Sequence, residues 1–212
     1  MVAPQHDTTP YKGHFALYVG GFVAALMVFG VSAWLAGKGT ATGWEYAWFH
    51  AVNGWSESWY RFMVIVTFFG STMWAPVPVV LAFLFRFYRL AWRMALSILS
   101  AYSIVLVAKH VIGRERPLEL FHDAHARIAE TGMGFPSGHA TLITVVTLTL
   151  LPYMPWKWRW TVPVAIVLVC LSRLYLGVHI PLDVIGGVAL GTGVVAFVRI
   201  LPQPIRVLLR ID

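Results

Sequence analysis

Charged side chains are scarce in this chain. Asp, Glu, Lys and Arg make up 12% of its 212 residues, against about 25% in soluble domains. Hydrophobic residues make up 58%, and the mean hydropathy is +0.71. Too few polar side chains remain to cover a water-facing surface. This composition excludes an ordinary soluble domain and indicates an integral membrane protein.

Cysteine and acidic residues are also few. The single cysteine, Cys170, lies inside an apolar run, which excludes a disulfide framework and a cysteine metal cluster. Nine acidic residues stand against 16 Lys and Arg, for a net charge of +7. In so apolar a chain, the basic excess indicates membrane topology and contact with anionic lipids. We therefore expect no nucleic-acid partner.

Apolar runs dominate the rest of the chain. They cover residues 15–37, 62–85, 94–108, 140–156, 160–172 and 184–198. The first two are long enough alone to cross a hydrocarbon layer of about 30 Å, and the others need their charged flanking residues to reach that length. The pattern predicts an all-α membrane protein with six transmembrane helices in one domain, residues 1–212.

Three local features refine this prediction. Pro76 and Pro78 predict a kinked second helix. The glycines at 186, 187, 191 and 193 indicate close helix packing in the sixth. A cleavable signal peptide is the alternative for the first run, but 23 residues exceed the roughly 7 to 15 of a signal core.

Basic residues predict the orientation. Nine of them share one side with only two acids: Lys12, Arg86, Arg89, Arg93, Lys157, Arg159, Arg199, Arg206 and Arg210. The other side carries seven basic and seven acidic residues. The positive-inside rule then places both termini in the cytoplasm.

An aromatic stripe lies between the first two runs. Trp44, Trp48, Trp55 and Trp59 fall on one face at 100° per residue, which predicts an interfacial helix on the outer side. The stripe is either an aromatic membrane anchor or a wall that guides a lipid tail.

Two motifs on the outer side suit an anion. Lys109 and Arg116 are seven residues apart, so we expect both cations on one helical face before Pro117 stops the helix. Residues Pro136-Ser137-Gly138-His139 precede the fourth run. They offer a hydroxyl and backbone N–H groups at a helix start, where phosphate binds well.

A third motif adds a histidine and a carboxylate. Ser172-Arg173 ends the fifth run, and His179 and Asp183 flank the start of the sixth. At spacing i, i+4 the carboxylate can hydrogen-bond to the imidazole and set its tautomer. Taken singly, these residues could be interfacial cations, helix caps or a metal-binding His-Asp pair. Together on one membrane side, they indicate a reactive anion site.

These motifs resemble the three-part signature of the type 2 phosphatidic acid phosphatase and haloperoxidase superfamily, in its membrane-bound bacterial lipid phosphatase branch. The signature spans residues 109–117, 136–139 and 172–183, with every signature position filled in order. The resemblance implies a phosphatase that works through a phosphohistidine, without a metal or other cofactor.

The resemblance also implies a role for each signature residue. His179 would be the nucleophile, Asp183 would orient it, and His139 would be the general acid and then the base. The phosphoryl oxygens would be held by Lys109, Arg116, Ser137, Gly138 and Arg173.

The implied activity is hydrolysis of the terminal phosphate of a membrane lipid. The active site would face away from the cytoplasm in a multi-pass inner-membrane protein. A polyprenyl diphosphate such as undecaprenyl diphosphate is favoured over phosphatidylglycerol phosphate, phosphatidic acid and lipid A phosphate. The motifs contact only phosphate and leave the lipid, the pathway and the oligomeric state open. A phosphotransferase, a non-catalytic lipid-binding or lipid-translocating protein, and a metal-dependent hydrolase are the alternatives.

The segment 118–135 lies between the first two motifs. It contains His122, Asp123, His125, Arg127 and Glu130. It is either a lid that helps to select the head group or a solvated loop with a short helix.

Overall fold

The computed structural model describes residues 11–201, with side chains from residue 15 onward. This part of the chain is helical and contains no strand, so the predicted all-α class is confirmed there. Its α-helices are α1 (Tyr11–Ala36), α2 (Gly43–Asn53), α3 (Tyr60–Phe68), α4 (Pro76–Leu84), α5 (Tyr88–Ile112), α6 (Pro117–Leu120), α7 (Gly138–Leu150), α8 (Thr161–Tyr175) and α9 (Pro181–Ile200). The predicted cytoplasmic position of the termini lies outside the described residues.

Four helical stretches are long and apolar enough to cross a membrane. They are Phe15–Ala36, Tyr88–Leu120, Trp156–Tyr175 and Pro181–Ile200. The stretch Gly138–Tyr153 is apolar but shorter. Each corresponds to one of the runs expected from the sequence.

The second predicted helix differs from expectation. The run 62–85 forms two short helices, α3 and α4, joined by a turn instead of a kink. Gly70 explains the position of the turn, because a Cβ there would lie 2.8 Å from the carbonyl oxygen of His139 and 2.9 Å from a methyl group of Val169. Pro76 then occupies the first turn of α4, where its missing N–H costs no hydrogen bond.

Helix α9 is the centre of the bundle. In its most apolar 18-residue window, 78% of residues are buried, against 11% in that of α1. Glycines let α7 approach α9 closely, because a Cβ on Gly187 would lie 2.6 Å from the Ser137 carbonyl oxygen, and one on Gly191 2.8 Å from that of Thr141. The predicted role of these glycines in helix packing is confirmed.

Four helix ends meet at one end of the bundle. The three motifs lie in or directly beside the last turns of α5 and α8 and the first turns of α7 and α9. Helix α2 is fastened to this end by Asn53, whose side-chain amide donates to the carbonyl oxygens of Tyr175 (3.1 Å) and His125 (2.9 Å). At the opposite end, Arg199 donates to the Tyr18 hydroxyl at 3.0 Å and to the Leu148 carbonyl at 2.5 Å.

The tryptophan stripe is divided between α2 and the segment that follows it, which includes a 3-10 helix at Glu57–Trp59. Trp44 and Trp48 belong to α2, but this helix ends at Asn53. Trp55 and Trp59 lie beyond that end, with ring centroids 6.2 Å apart. The expectation of one continuous four-tryptophan helical face is therefore wrong, because the chain turns at Gly54.

Substitution of Gly191 tests the packing of α9 on α7. Gly191→Ala should lower the free energy of unfolding by about 1–3 kcal/mol, because the methyl group would press on the backbone of α7. Thermal unfolding in detergent measures this. The control is Gly30→Ala in α1, where a Cβ meets nothing within 4 Å. Equal midpoints for both variants would contradict the close approach.

Candidate active site

The first-motif cations converge on one loop. The Lys109 ammonium group donates to the carbonyl oxygen of Met133. Arg116 donates to the carbonyl oxygens of Gly132 (2.7 Å) and Val178 (2.8 Å). The expectation that Lys109 and Arg116 share a helical face is wrong, because α5 ends at Ile112 and Gly113 turns the chain with φ 62°. The loop carbonyls bring the two cations together instead.

Arg173 supplies a third cation from the last turn of α8. Its side chain is 1% exposed and donates to the Thr67 hydroxyl at 2.9 Å. The same guanidinium forms an ion pair with Glu130, which also lies 3.5 Å from the Arg116 guanidinium. Lys109, Arg116 and Arg173 therefore share one electrostatic site.

The third motif forms the expected histidine–carboxylate contact. His179 Nδ1 lies 3.2 Å from Asp183 Oδ2, and both side chains are almost fully buried. The same oxygen accepts the backbone N–H of Ile180 at 3.1 Å. The turn that delivers His179 depends on Gly177, which has φ 74°, and a Cβ there would lie 2.2 Å from the His125 carbonyl oxygen. With Nδ1 directed at Asp183, Nε2 is the imidazole nitrogen available for reaction.

Burial and charge determine the protonation of His179. Burial lowers the pKa of its imidazole well below the ordinary value, and the nearby cations Arg173 and Lys109 lower it further. The ring is therefore neutral near neutral pH. A neutral imidazole has the lone pair that a nucleophile needs.

The second motif forms the start of α7. Ser137 is the buried N-cap residue, and its hydroxyl accepts the Ala140 N–H at 3.5 Å. Its own N–H donates to the Asp183 carbonyl oxygen at 2.9 Å, which ties the second motif to the third. Arg173, Arg116 and Lys109 all lie close enough to His139 to interact electrostatically with its imidazole. All three motifs thus meet in space.

One buried ion network was not predicted from the sequence. Arg114 is 1% exposed and pairs with Asp183 Oδ1 at 3.3 Å and with Glu45 of α2 at 2.9 Å. It connects α2 to the carboxylate that contacts His179. The available signals were an arginine inside the first motif and the Thr42-x-x-Glu45 capping pattern, in which Glu45 accepts the Thr42 N–H at 3.0 Å.

The segment 118–135 is hydrogen-bonded to the helix bundle through Arg127. Arg127 donates to the carbonyl oxygens of Asn53 (2.8 Å) and Tyr175 (2.7 Å) and lies 4.1 Å from the Tyr175 ring centroid. The expected short helix is present as α6. Through Glu130, the segment also reaches the cations of the site.

Comparison with known proteins decides the family. The model of the PAP2 superfamily matches residues 90–206, which is more than half of the chain and includes all three motifs. The chain belongs to the PAP2 superfamily. The resemblance drawn from the motifs is confirmed.

Two curated relatives carry names that refer to polyprenyl lipids. The undecaprenyl-diphosphatase of Sulfolobus acidocaldarius is 34% identical over 133 residues, which cover 61% of this chain and 64% of the relative. The decaprenylphosphoryl-5-phosphoribose phosphatase of Mycobacterium tuberculosis is 40% identical over 104 residues, 46% of this chain and 53% of the relative. The alignments thus span between half and two thirds of these relatives.

Two solved structures share the architecture. The transmembrane PAP2-type phosphatidylglycerolphosphate phosphatase of Bacillus subtilis matches with a TM-score of 0.67 and 25% identity, over 84% of this chain and 93% of its own. LpxE of Aquifex aeolicus matches with the same TM-score and 21% identity, over 73% of this chain and 93% of its own. The second likeness concerns the fold alone.

Removal of the Glu45 charge tests the buried network. Glu45→Gln leaves Arg114 without its α2 partner and should cost about 3 kcal/mol or more of unfolding free energy. Thermal unfolding in detergent measures this. The control is Asp123→Asn, because Asp123 accepts from Tyr46 on the same helix but is 58% exposed. A loss no larger than that of the control would show that the network contributes little to stability.

Proposed function

We propose that this PAP2 protein is a membrane-embedded lipid phosphatase that removes a terminal phosphate through a phosphohistidine at His179. One observation carries the proposal. His179 is neutral and hydrogen-bonds to the buried carboxylate of Asp183. Three cations lie around it: Lys109, Arg116 and Arg173. Anion binding alone needs the cations but not an oriented nucleophile.

The proposed reaction has two steps. Nε2 of His179 attacks phosphorus in line with the leaving oxygen, and the bond from phosphorus to that oxygen breaks. His139, which is protonated once the bound phosphate offsets the three positive charges, donates a proton to the leaving group. Water then attacks the phosphohistidine, and His139 accepts the proton of the water. Inorganic phosphate leaves, and His179 returns to its neutral form. Asp183 balances the positive charge that develops on the imidazole.

Phosphoryl transfer needs charge neutralisation at the equatorial oxygens. Arg116, Arg173 and Lys109 provide three positive charges, and the Ser137 hydroxyl and Gly138 N–H stand at the start of α7. The buried Nε of Arg173 has no hydrogen-bond partner among residues 11–201, and a phosphoryl oxygen would satisfy it. These groups do the work that Mg²⁺ does in other phosphoryl-transfer enzymes, so we propose a metal-independent reaction.

We propose a six-span topology for residues 1–212 with the site on the outer side. The pair α3 and α4 would form the second span and α7 with its following turn the fourth. The basic residues at 86, 89, 93, 157, 159 and 199 lie at the bundle end opposite the three motifs, and the positive-inside rule assigns that end and both termini to the cytoplasm. Helix α2 would then lie in the outer interface of the inner membrane.

Among substrates, we favour a polyprenyl diphosphate, with phosphatidylglycerol phosphate and phosphatidic acid next. The polyprenyl names of the two curated relatives support this order. An apolar groove of about 740 Å³ lies beside α9, between α1 and α8, and Trp44 and Trp48 line it near the site end. Its lining suits a hydrocarbon chain, which favours the guiding-wall interpretation for these two tryptophans.

Phosphate release tests the proposed function. Detergent-purified protein in chelator is offered undecaprenyl diphosphate, phosphatidylglycerol phosphate, phosphatidic acid and lipid A. We expect release from at least one lipid, and loss of that release in His179→Gln because the amide is not a nucleophile. The control is His110→Gln, an exposed histidine near the end of α5.

The outcomes separate the alternatives. Normal rates in His179→Gln would overturn the nucleophile assignment. Loss of activity in chelator would indicate a metal-dependent hydrolase. No release from any lipid would contradict hydrolysis and favour phosphotransfer to an acceptor or a non-catalytic lipid-binding or lipid-translocating role.

A further inference from the structure

The side chain of Glu130 lies among the cations of the site. It forms an ion pair with Arg173 and stands 3.5 Å from the Arg116 guanidinium. Both arginine side chains are at least nine-tenths buried, whereas that of Glu130 is 30% exposed. A carboxylate and a phosphate offer arginine the same kind of acceptor, a pair of anionic oxygens on one centre. Glu130 therefore contacts the two guanidinium groups that a phosphoryl group would contact.

The backbone on both sides of Glu130 is held by hydrogen bonds to neighbouring parts of the protein. Arg116 donates to the carbonyl oxygens of Thr131 (3.2 Å) and Gly132 (2.7 Å). On the other side, the backbone N–H of Arg127 donates to the Leu176 carbonyl oxygen at 3.0 Å. The loop thus holds the carboxylate next to the cations.

The charge of Glu130 persists at neutral pH. Burial by itself would raise the pKa of its carboxyl group, but the positive charges of Arg173 and Arg116 outweigh burial and hold the pKa below its ordinary value. In the absence of a ligand, this anion neutralises part of the positive charge of the site. An incoming phosphate is therefore repelled by a carboxylate of the same charge sign, which already contacts Arg116 and Arg173.

We infer that Glu130 is an internal ligand of the phosphate site, which a phosphoryl group displaces on binding and which returns to the arginines when inorganic phosphate leaves. This inference rests on the proposed function, because it takes Arg116 and Arg173 as the phosphate-binding residues. An internal competitor lowers the affinity of the site for every phosphate anion, including the product and the phosphodiester head groups of surrounding lipids. The site is thereby kept from filling with anions that it does not turn over.

A binding experiment tests this inference without reference to turnover. The dissociation constant of inorganic phosphate is measured by ³¹P NMR titration of the full-length protein in detergent. Glu130→Gln should bind phosphate more tightly, on the order of tenfold, because a charge-assisted contact no longer competes. The control is Glu57→Gln. The Glu57 carboxylate pairs with Arg127 at 2.8 Å, not with any of the three cations, and its side chain is 72% exposed. Its dissociation constant should equal that of the unchanged protein.

A second measurement uses the unchanged protein and does not depend on folding of a variant. Carbodiimide labelling of carboxylates is read by mass spectrometry with and without inorganic phosphate. Labelling of Glu130 should rise when phosphate is added, whereas that of Glu57 should stay constant.

The contrary outcomes are distinct. Equal or weaker phosphate binding in Glu130→Gln, or Glu130 labelling that phosphate does not change, would show that the carboxylate only holds the arginines in place. Loss of turnover with an unchanged dissociation constant would assign Glu130 to the chemical step and overturn the inference. Failure of both the unchanged protein and Glu130→Gln to bind phosphate would instead refute the phosphate site and the proposed function.

Discussion

The carboxylate of Asp183 joins the reactive histidine to the helix bundle. One oxygen contacts His179 Nδ1 and the Ile180 N–H, and the other contacts Arg114, which reaches Glu45 on α2. An unpaired charge at such a buried position would cost several kcal/mol. Each ionised group therefore needs its partner, and the partners come from distant parts of the chain. The need to pair buried charges determines how the first turn of α9, the turn before it and α2 are arranged.

The cations of the site obey the same constraint in another way. Lys109 and Arg116 donate to carbonyl oxygens of the loop between the first two motifs, and Arg173 pairs with Glu130. These partners satisfy the donors at rest without neutralising all of their charge. A phosphate dianion can still gain from the surplus positive potential. The same loop thus satisfies the cations before an anion binds and limits how tightly the site holds that anion.

The sequence was sufficient for the helical class and for the three motifs that meet at the site, since apolar runs and motif spacing are local patterns. Tertiary contacts decided the rest. The break at Gly70 arises from the close approach of His139 and Val169, which no local pattern contains. Arg114 and Glu45 are 69 residues apart, so their pairing could not be read from spacing. The helical face proposed for Lys109 and Arg116 failed because Gly113 ends α5 three residues before Arg116.

The proposed mechanism transfers phosphate to His179, and detection of this covalent intermediate tests it. His139→Ala should slow hydrolysis of the intermediate, because the base that activates water is absent. Brief incubation of this variant with nitrophenyl phosphate, whose leaving group needs no proton from His139, a quench at alkaline pH where phosphohistidine survives, and peptide mass spectrometry would locate the modification. We expect a phosphoryl group on His179. Phosphate released by the unchanged protein with no phosphorylated histidine trapped in the variant, or a phosphoryl group on another residue, would contradict it.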